Sequence, residues 1–117
     1  MRYTISEMAS LLGVTTHTLR YYEKMGLIRP EVNEDTGYRY YTVTDTRRFN
    51  LCRELRAAEL SLEECRELIG SPSVEQSDEM FARQAARLRR RQVLDELSIR
   101  FLEKMQEQYR TLEQDAG

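Results

Sequence analysis

Residues 14–23, Val14-Thr15-Thr16-His17-Thr18-Leu19-Arg20-Tyr21-Tyr22-Glu23, gather the side chains best suited to reading a polar, anionic surface. Hydroxyls, an imidazole and a guanidinium at helical spacing can hydrogen-bond base edges or phosphate oxygens. Thr15 is placed to cap a helix by accepting a backbone N–H with its side-chain oxygen. Leu19 then faces inward, and Thr16, His17 and Arg20 face outward. Tyr21 and Tyr22 are neighbours on that helix and point about 100° apart, so they are expected to do different jobs.

The flanking residues supply what must position this run. Thr4-Ile5-Ser6-Glu7 is a capping box that opens a helix with apolar Ile5, Met8, Ala9 and Leu12. Gly13 ends it in a turn. Helix, glycine turn and hydroxyl-capped helix is the layout of a helix-turn-helix, whose second helix enters the DNA major groove. The spacing predicts helices over about 5–12 and 16–25, closed by Gly26 and barred from continuing by Pro30. Residues 31–41 read as a hairpin wing. Glu34-Asp35-Thr36-Gly37 has turn chemistry and Tyr38-Arg39-Tyr40-Tyr41 the aromatic content of a strand. Arg39 is expected to point toward a phosphate, with one or more tyrosines packing back on the helices. Thr42 and Asp45 resemble a further cap, for a helix of about 43–58 carrying Phe49, Cys52, Leu55 and Ala58. Ser61 and Glu64 form another capping box, for a helix of about 62–69 with Leu62, Cys65, Leu68 and Ile69 on one stripe. Gly70, Ser71 and Pro72 break it. The helix-turn-helix (about 4–25), the wing and this second helix pair (about 43–69) make one domain of residues 1–70.

Residues 77–113 contain neither proline nor glycine and predict one helix of ~36 residues, ~54 Å long. So long a helix cannot bury its apolar face against so small a domain. Leu94, Leu97, Phe101, Met105, Tyr109 and Leu112 recur at steps of three or four. Phe81, Ala85 and Leu88 form a separate stripe, out of phase across Arg89-Arg90-Arg91-Gln92. Antiparallel pairing with the same helix of a second copy is the economical way to cover the longer stripe. The arginine triplet is read as a solvated face or as partners for acidic side chains. The expected fold is therefore mainly α: a winged helix-turn-helix followed by a long antiparallel coiled-coil dimerisation helix.

Composition agrees with a soluble chain: 40% hydrophobic, 32% charged, and no apolar run near the ~20 residues that a membrane span needs. No signal-peptide pattern opens the sequence, which places the protein in the cytoplasm. The net charge of −2 hides an asymmetry. Residues 1–56 carry nine Lys/Arg against seven Asp/Glu, and residues 57–117 nine against thirteen. The front half is thus mildly basic, as phosphate contact requires. Cys52 and Cys65 sit at apolar helix positions and read as buried thiols. With a single histidine, and that one in the outward run, no metal site and no cofactor are expected. No paired carboxylates in a cleft, nucleophile–base constellation or phosphate loop suggests an enzyme.

Three sets of residues carry a resemblance. They are Tyr3-Thr4-Ile5-Ser6-Glu7 through Leu19-Arg20-Tyr21-Tyr22-Glu23 and Gly26-Leu27-Ile28-Arg29-Pro30; Thr36-Gly37-Tyr38-Arg39-Tyr40-Tyr41; and Leu60-Ser61-Leu62-Glu63-Glu64. In this order, over residues 3–69, the chain resembles a MerR-type transcriptional regulator. Its wing is most like the multidrug-responsive branch. The resemblance implies that the tyrosine pair reaches the DNA backbone and that Arg39 and Arg56 grip phosphates beside the groove. For Arg56 the other reading is a surface ion pair with Glu59 or Glu63. The expected DNA-binding set is Thr15, Thr16, His17, Arg20, Tyr21, Tyr22, Arg39 and Arg56. The expected dimer interface is Leu94, Leu97, Phe101, Met105, Tyr109 and Leu112. The family implies a homodimer on a pseudo-palindromic promoter operator, bent and underwound for RNA polymerase. With no cysteine after Cys65, metal sensing and iron–sulfur chemistry are not expected. The end at Gly117 reads either as a fragment lacking the sensor, the favoured reading, or as a naturally short regulator. The alternative is an architectural or excisionase-like winged-helix DNA binder without effector response, which would lack the long dimer helix.

Overall fold

The computed structural model describes residues 1–116. These fall into one unit of residues 1–77 and a second from Asp78 onward. In the first, helix α1 (Ile5–Leu12) starts at the predicted box. The Glu7 carboxylate accepts the Thr4 N–H at 2.9 Å and Thr4 Oγ1 accepts the Glu7 N–H at 3.1 Å. The Thr4 bonds, the backbone one first, hold the Glu7 carboxyl below its usual range. Helix α2 (Thr16–Lys24) is capped by Thr15, whose Oγ1 accepts the Thr18 N–H at 3.1 Å.

The wing is a short antiparallel ribbon of β1 (Glu31–Val32) and β2 (Arg39–Tyr40), pairing Glu31 with Tyr40 and Val32 with Arg39. Its turn is organised by Asn33, whose Oδ1 accepts the N–H groups of Asp35 and Thr36 at 2.9 and 3.3 Å. Tyr41 follows β2, forms a two-bond bridge to Tyr3 at 2.7 and 2.8 Å, and is fully buried. One tyrosine of the wing does therefore pack back on the helices.

Helix α3 (Val43–Ala57) carries buried Asp45 in its first turn, where it accepts the Thr42 N–H at 2.9 Å and the Arg29 N–H at 3.3 Å. A buried carboxylate needs such donors to offset its lost hydration. Helix α4 (Leu62–Ile69) opens on the predicted Ser61–Glu64 box. Helices α2 and α3 end alike. The Leu27 N–H reaches Tyr22 O at 2.9 Å and the Gly26 N–H reaches Glu23 O at 3.0 Å; the Leu60 N–H reaches Leu55 O at 3.1 Å and the Glu59 N–H reaches Arg56 O at 2.9 Å. Both are Schellman ends with a left-handed residue just past the helix. Gly26 takes φ 76° without strain, whereas Glu59 takes φ 66° with a Cβ that crowds the following carbonyl.

Two apolar clusters fill this unit. One joins Met8, Ala9, Leu19, Ile28, Tyr41 and Phe49; the other joins Leu27, Cys52, Leu55, Leu60 and Cys65. Tyr22 packs against both. The two thiols are buried, as expected. Burial first, and the neighbouring Cys65 second, pushes Cys52 up to about 11.

The last helix departs from expectation at its start. Helix α5 runs Val74–Ala116, 43 residues and about 65 Å, starting three residues before the predicted boundary. Ser73 and Gln76 explain the early start: Gln76 Oε1 accepts the Ser73 N–H at 3.0 Å and Ser73 Oγ accepts the Gln76 N–H at 3.1 Å. This is a further capping box directly after Pro72. Along α5, Leu94, Leu97, Phe101, Tyr109 and Leu112 are exposed in the single chain and Met105 is half-buried. Val93, Ile99 and Leu102 are exposed too, so the apolar face is broader than the predicted stripe.

Two tests follow from this packing. Glu59→Gly should raise stability by a few tenths to about 1 kcal/mol, while Gly26→Ala should lower it by about 1 kcal/mol or more; thermal melts of the two variants should move in opposite directions. The second concerns alkali. The Cys52 thiol lies near 11 against an ordinary 9, and the Tyr41 hydroxyl near 12 against 10. Both groups are neutral when protonated, so the folded chain holds these protons longer than the unfolded chain. Stability is fully present below pH 9 and is lost as pH climbs through 11 to 12. Urea midpoints at pH 8 and pH 10.5 should show the fall.

Candidate nucleic-acid interface

Helix α2 buries Leu19 and exposes His17, Arg20, Tyr21 and Lys24. The exposed positions are spaced i, i+3, i+4 and i+7, which is one continuous face. Lys24 was absent from the expected set, although its distance of seven residues from His17 places it there. Of the outward run expected at Thr16, His17 and Arg20, His17 and Arg20 are exposed and Thr16 is only half exposed. Thr15 caps the helix, and its Oγ1 also lies 2.9 Å from Thr18 Oγ1.

The tyrosine pair divides as its angular separation requires. Tyr21 is 43% exposed. Tyr22 is half-buried, with its ring 4.7 Å from that of Phe49 on α3. Burial is the first cause that raises the Tyr22 hydroxyl above its ordinary value. One tyrosine of the pair is therefore structural, packed against α3.

Glu23, the next residue, joins α2 to the wing. Its carboxylate accepts Arg39 Nη1 at 2.5 Å and the Tyr41 hydroxyl at 3.1 Å. The Arg39 side chain remains 62% exposed against 19% for Glu23, so the guanidinium is steadied at one edge while other donors face solvent. At that exposure the pair itself contributes only about 0–1 kcal/mol; its effect is orientation. Arg39 and Arg20 line the same cleft of about 380 Å³, with Thr4, Ile5, Gly37, Tyr38 and Tyr41 completing its walls. Two cations on facing elements thus flank a concavity bordered by hydroxyls. On the other edge of the wing, Arg2 stacks 4.4 Å over the Tyr40 ring.

Arg56 is exposed at the end of α3. Its Nη1 donates to Leu60 O at 2.8 Å, bracing the α3–α4 turn, and Glu63 pairs instead with Arg66 at 3.0 Å. Sequence reasoning missed the Glu23 bridge, the Arg56–Leu60 brace and the place of Lys24 on the exposed face. Only Lys24 left a periodicity signal; the other two depend on which elements meet.

An exposed basic helix face beside a short hairpin, braced by a second helix pair, defines a winged helix-turn-helix module. Residues 3–71 match the family described as MerR HTH family regulatory protein, and the chain belongs to that family. It is 42% identical over 67 residues to the transcriptional regulator ZntR of Escherichia coli K12, covering 57% of this chain and 48% of that protein. It is 40% identical over 65 residues to CueR of Yersinia pestis, covering 56% and 47%. The chain spans about half the length of the curated relatives it matches. HiNmlR, a MerR family regulator lacking the sensor domain and solved bound to promoter DNA, superposes with TM-score 0.62 at 26% identity, covering 89% of this chain and 92% of that one. The N-terminal part of MtaN, a Bacillus subtilis multidrug transporter activator, shares the fold at TM-score 0.69 and 23% identity, covering 88% and 96%.

The Glu23 bridge gives a test of the site. Burial is the first cause of the high Tyr41 value and the Glu23 charge the second. In Glu23→Gln, the Tyr41 hydroxyl should therefore titrate below 12 yet still above 10, followed by tyrosinate absorbance. An unchanged titration would show that the carboxylate does not face Tyr41 in solution.

Proposed function

We propose that this chain is a sequence-specific DNA-binding regulator of the MerR type, acting in the cytoplasm as a homodimer on a pseudo-palindromic promoter operator. The observation that carries the reading is the His17–Arg20–Tyr21–Lys24 face standing beside a wing whose Arg39 shares a cleft with Arg20. His17 and Tyr21 meet base edges or phosphates in the major groove. Arg20, Lys24 and Arg39 meet phosphates. Thr15, Thr16, Tyr22 and Arg56 hold this surface in place rather than lead the contact. The chemistry is binding, with no catalytic step.

The stripe of exposed Leu94, Leu97, Phe101, Tyr109 and Leu112 with half-buried Met105 supports antiparallel pairing of α5 with a second copy. Large apolar side chains left in water on one helix face favour association by about 25 cal/mol per Å² covered. Two recognition helices related by a twofold axis require an inverted repeat, and the operator is bent and underwound for RNA polymerase, as the family resemblance implies. The architectural reading predicts a monomer, and nothing in α5 favours it.

Selection of bound sequences from random duplexes tests this reading, together with sedimentation. Inverted repeats and a concentration-dependent dimer are expected; direct or single sites bound by a monomer would favour the architectural alternative. Arg20→Ala should weaken binding to all sequences alike and reduce the salt slope by about one unit. His17→Ala should alter sequence preference more than the slope.

A further inference from the structure

A second cleft in the 1–77 unit, of about 330 Å³, is lined by Arg29, Arg48 and Arg66 together with Gly26, Gly70 and Ser71. Three guanidiniums, from the segment after α2, from α3 and from α4, converge on one concavity whose walls hold no carboxylate. Arg66 is committed: its Nε donates to Met25 O at 2.9 Å and its Nη1 to Glu63 at 3.0 Å. Arg29 is held through its backbone N–H, on Asp45. Among the described residues the guanidiniums of Arg29 and of half-buried Arg48 have no hydrogen-bond or ion-pair partner. Asp45, the one buried carboxylate of the unit, already accepts backbone N–H groups on both oxygens. The C-terminal ends of α2 and α4 bring a partial negative charge of roughly 0.5 each, too little to balance the three cations.

We propose that this cleft binds a phosphate group. Arg29 and Arg48 supply charge-assisted donors in planar forks that match phosphate oxygens, and the Ser71 hydroxyl supplies a neutral one. The phosphate can belong to a small polyanion from solution or to a nucleic-acid backbone; the recognising chemistry is the same and the test separates them. The seat adjoins the end of α2, because Arg66 lies 3.8 Å from the position of a Cβ on Gly26 and also holds Met25 O. The proposal stands independently of the DNA-binding reading, since its first measurement uses no DNA.

The full chain is titrated with inorganic pyrophosphate at constant ionic strength, and its melting temperature is followed. A saturable rise is expected, with the apparent affinity at least tenfold weaker in Arg29→Gln/Arg48→Gln. Arg66 is left intact because it closes the end of α2. Should the double variant fail to fold, Arg48→Gln alone should weaken the response severalfold. Duplex binding across a salt series, on the same proteins, assigns the source. A salt slope lower by about two units in the double variant identifies a backbone phosphate; an unchanged slope with a lost pyrophosphate response identifies a free one. An equal temperature rise in wild type and variant, as any surface-excluded salt produces, together with an unchanged slope, overturns the proposal.

Discussion

The packing of Tyr22 is the constraint on which the rest of the module depends. Its ring belongs to both apolar clusters and lies 4.7 Å from Phe49, so the second helix of the motif is pinned to α1 and to the α3–α4 pair at one point. Consecutive helical residues point about 100° apart. Fixing Tyr22 inward therefore sends Tyr21 outward on one side and Glu23 toward the wing on the other. Three adjacent residues take three positions: outward face, core and brace.

That geometry explains how two strands of two residues each can hold a defined position. The ribbon itself is too small to be stable alone. It is anchored at its end by buried Tyr41, by the Tyr3 bridge, and by the Glu23 carboxylate that receives both Arg39 and Tyr41. Arg39 and Arg20 consequently face a common cleft although they stand nineteen positions apart in the chain. A basic surface assembled this way is presented in one shape rather than searched for on binding, which lowers the ordering cost of association.

Much of this was legible in the sequence because it is local. The boxes at Thr4–Glu7 and Ser61–Glu64, the Thr15 cap and the glycine after α2 each stand within a few residues of their partners, and the structure places all of them as read. The Ser73–Gln76 box is equally local and was overlooked; it moves the start of α5 to Val74. What could not be read depends on tertiary meeting. Arg56 turns to the Leu60 carbonyl because the α3–α4 turn closes tightly, and Glu59 occupies a left-handed position where turn chemistry favours glycine. The expected contacts at Thr16 and Tyr22 lose exposure for the same reason: spacing along a helix gives a face, but only packing says where that face ends.

Amide resonances recorded while duplex DNA is added to the chain test the central claim most directly. The account predicts that the largest shifts fall on residues 17–24 and 37–39, with the Tyr22 ring signals keeping their core environment throughout. Shifts confined to the exposed side of α3, or none at saturating duplex, would contradict it.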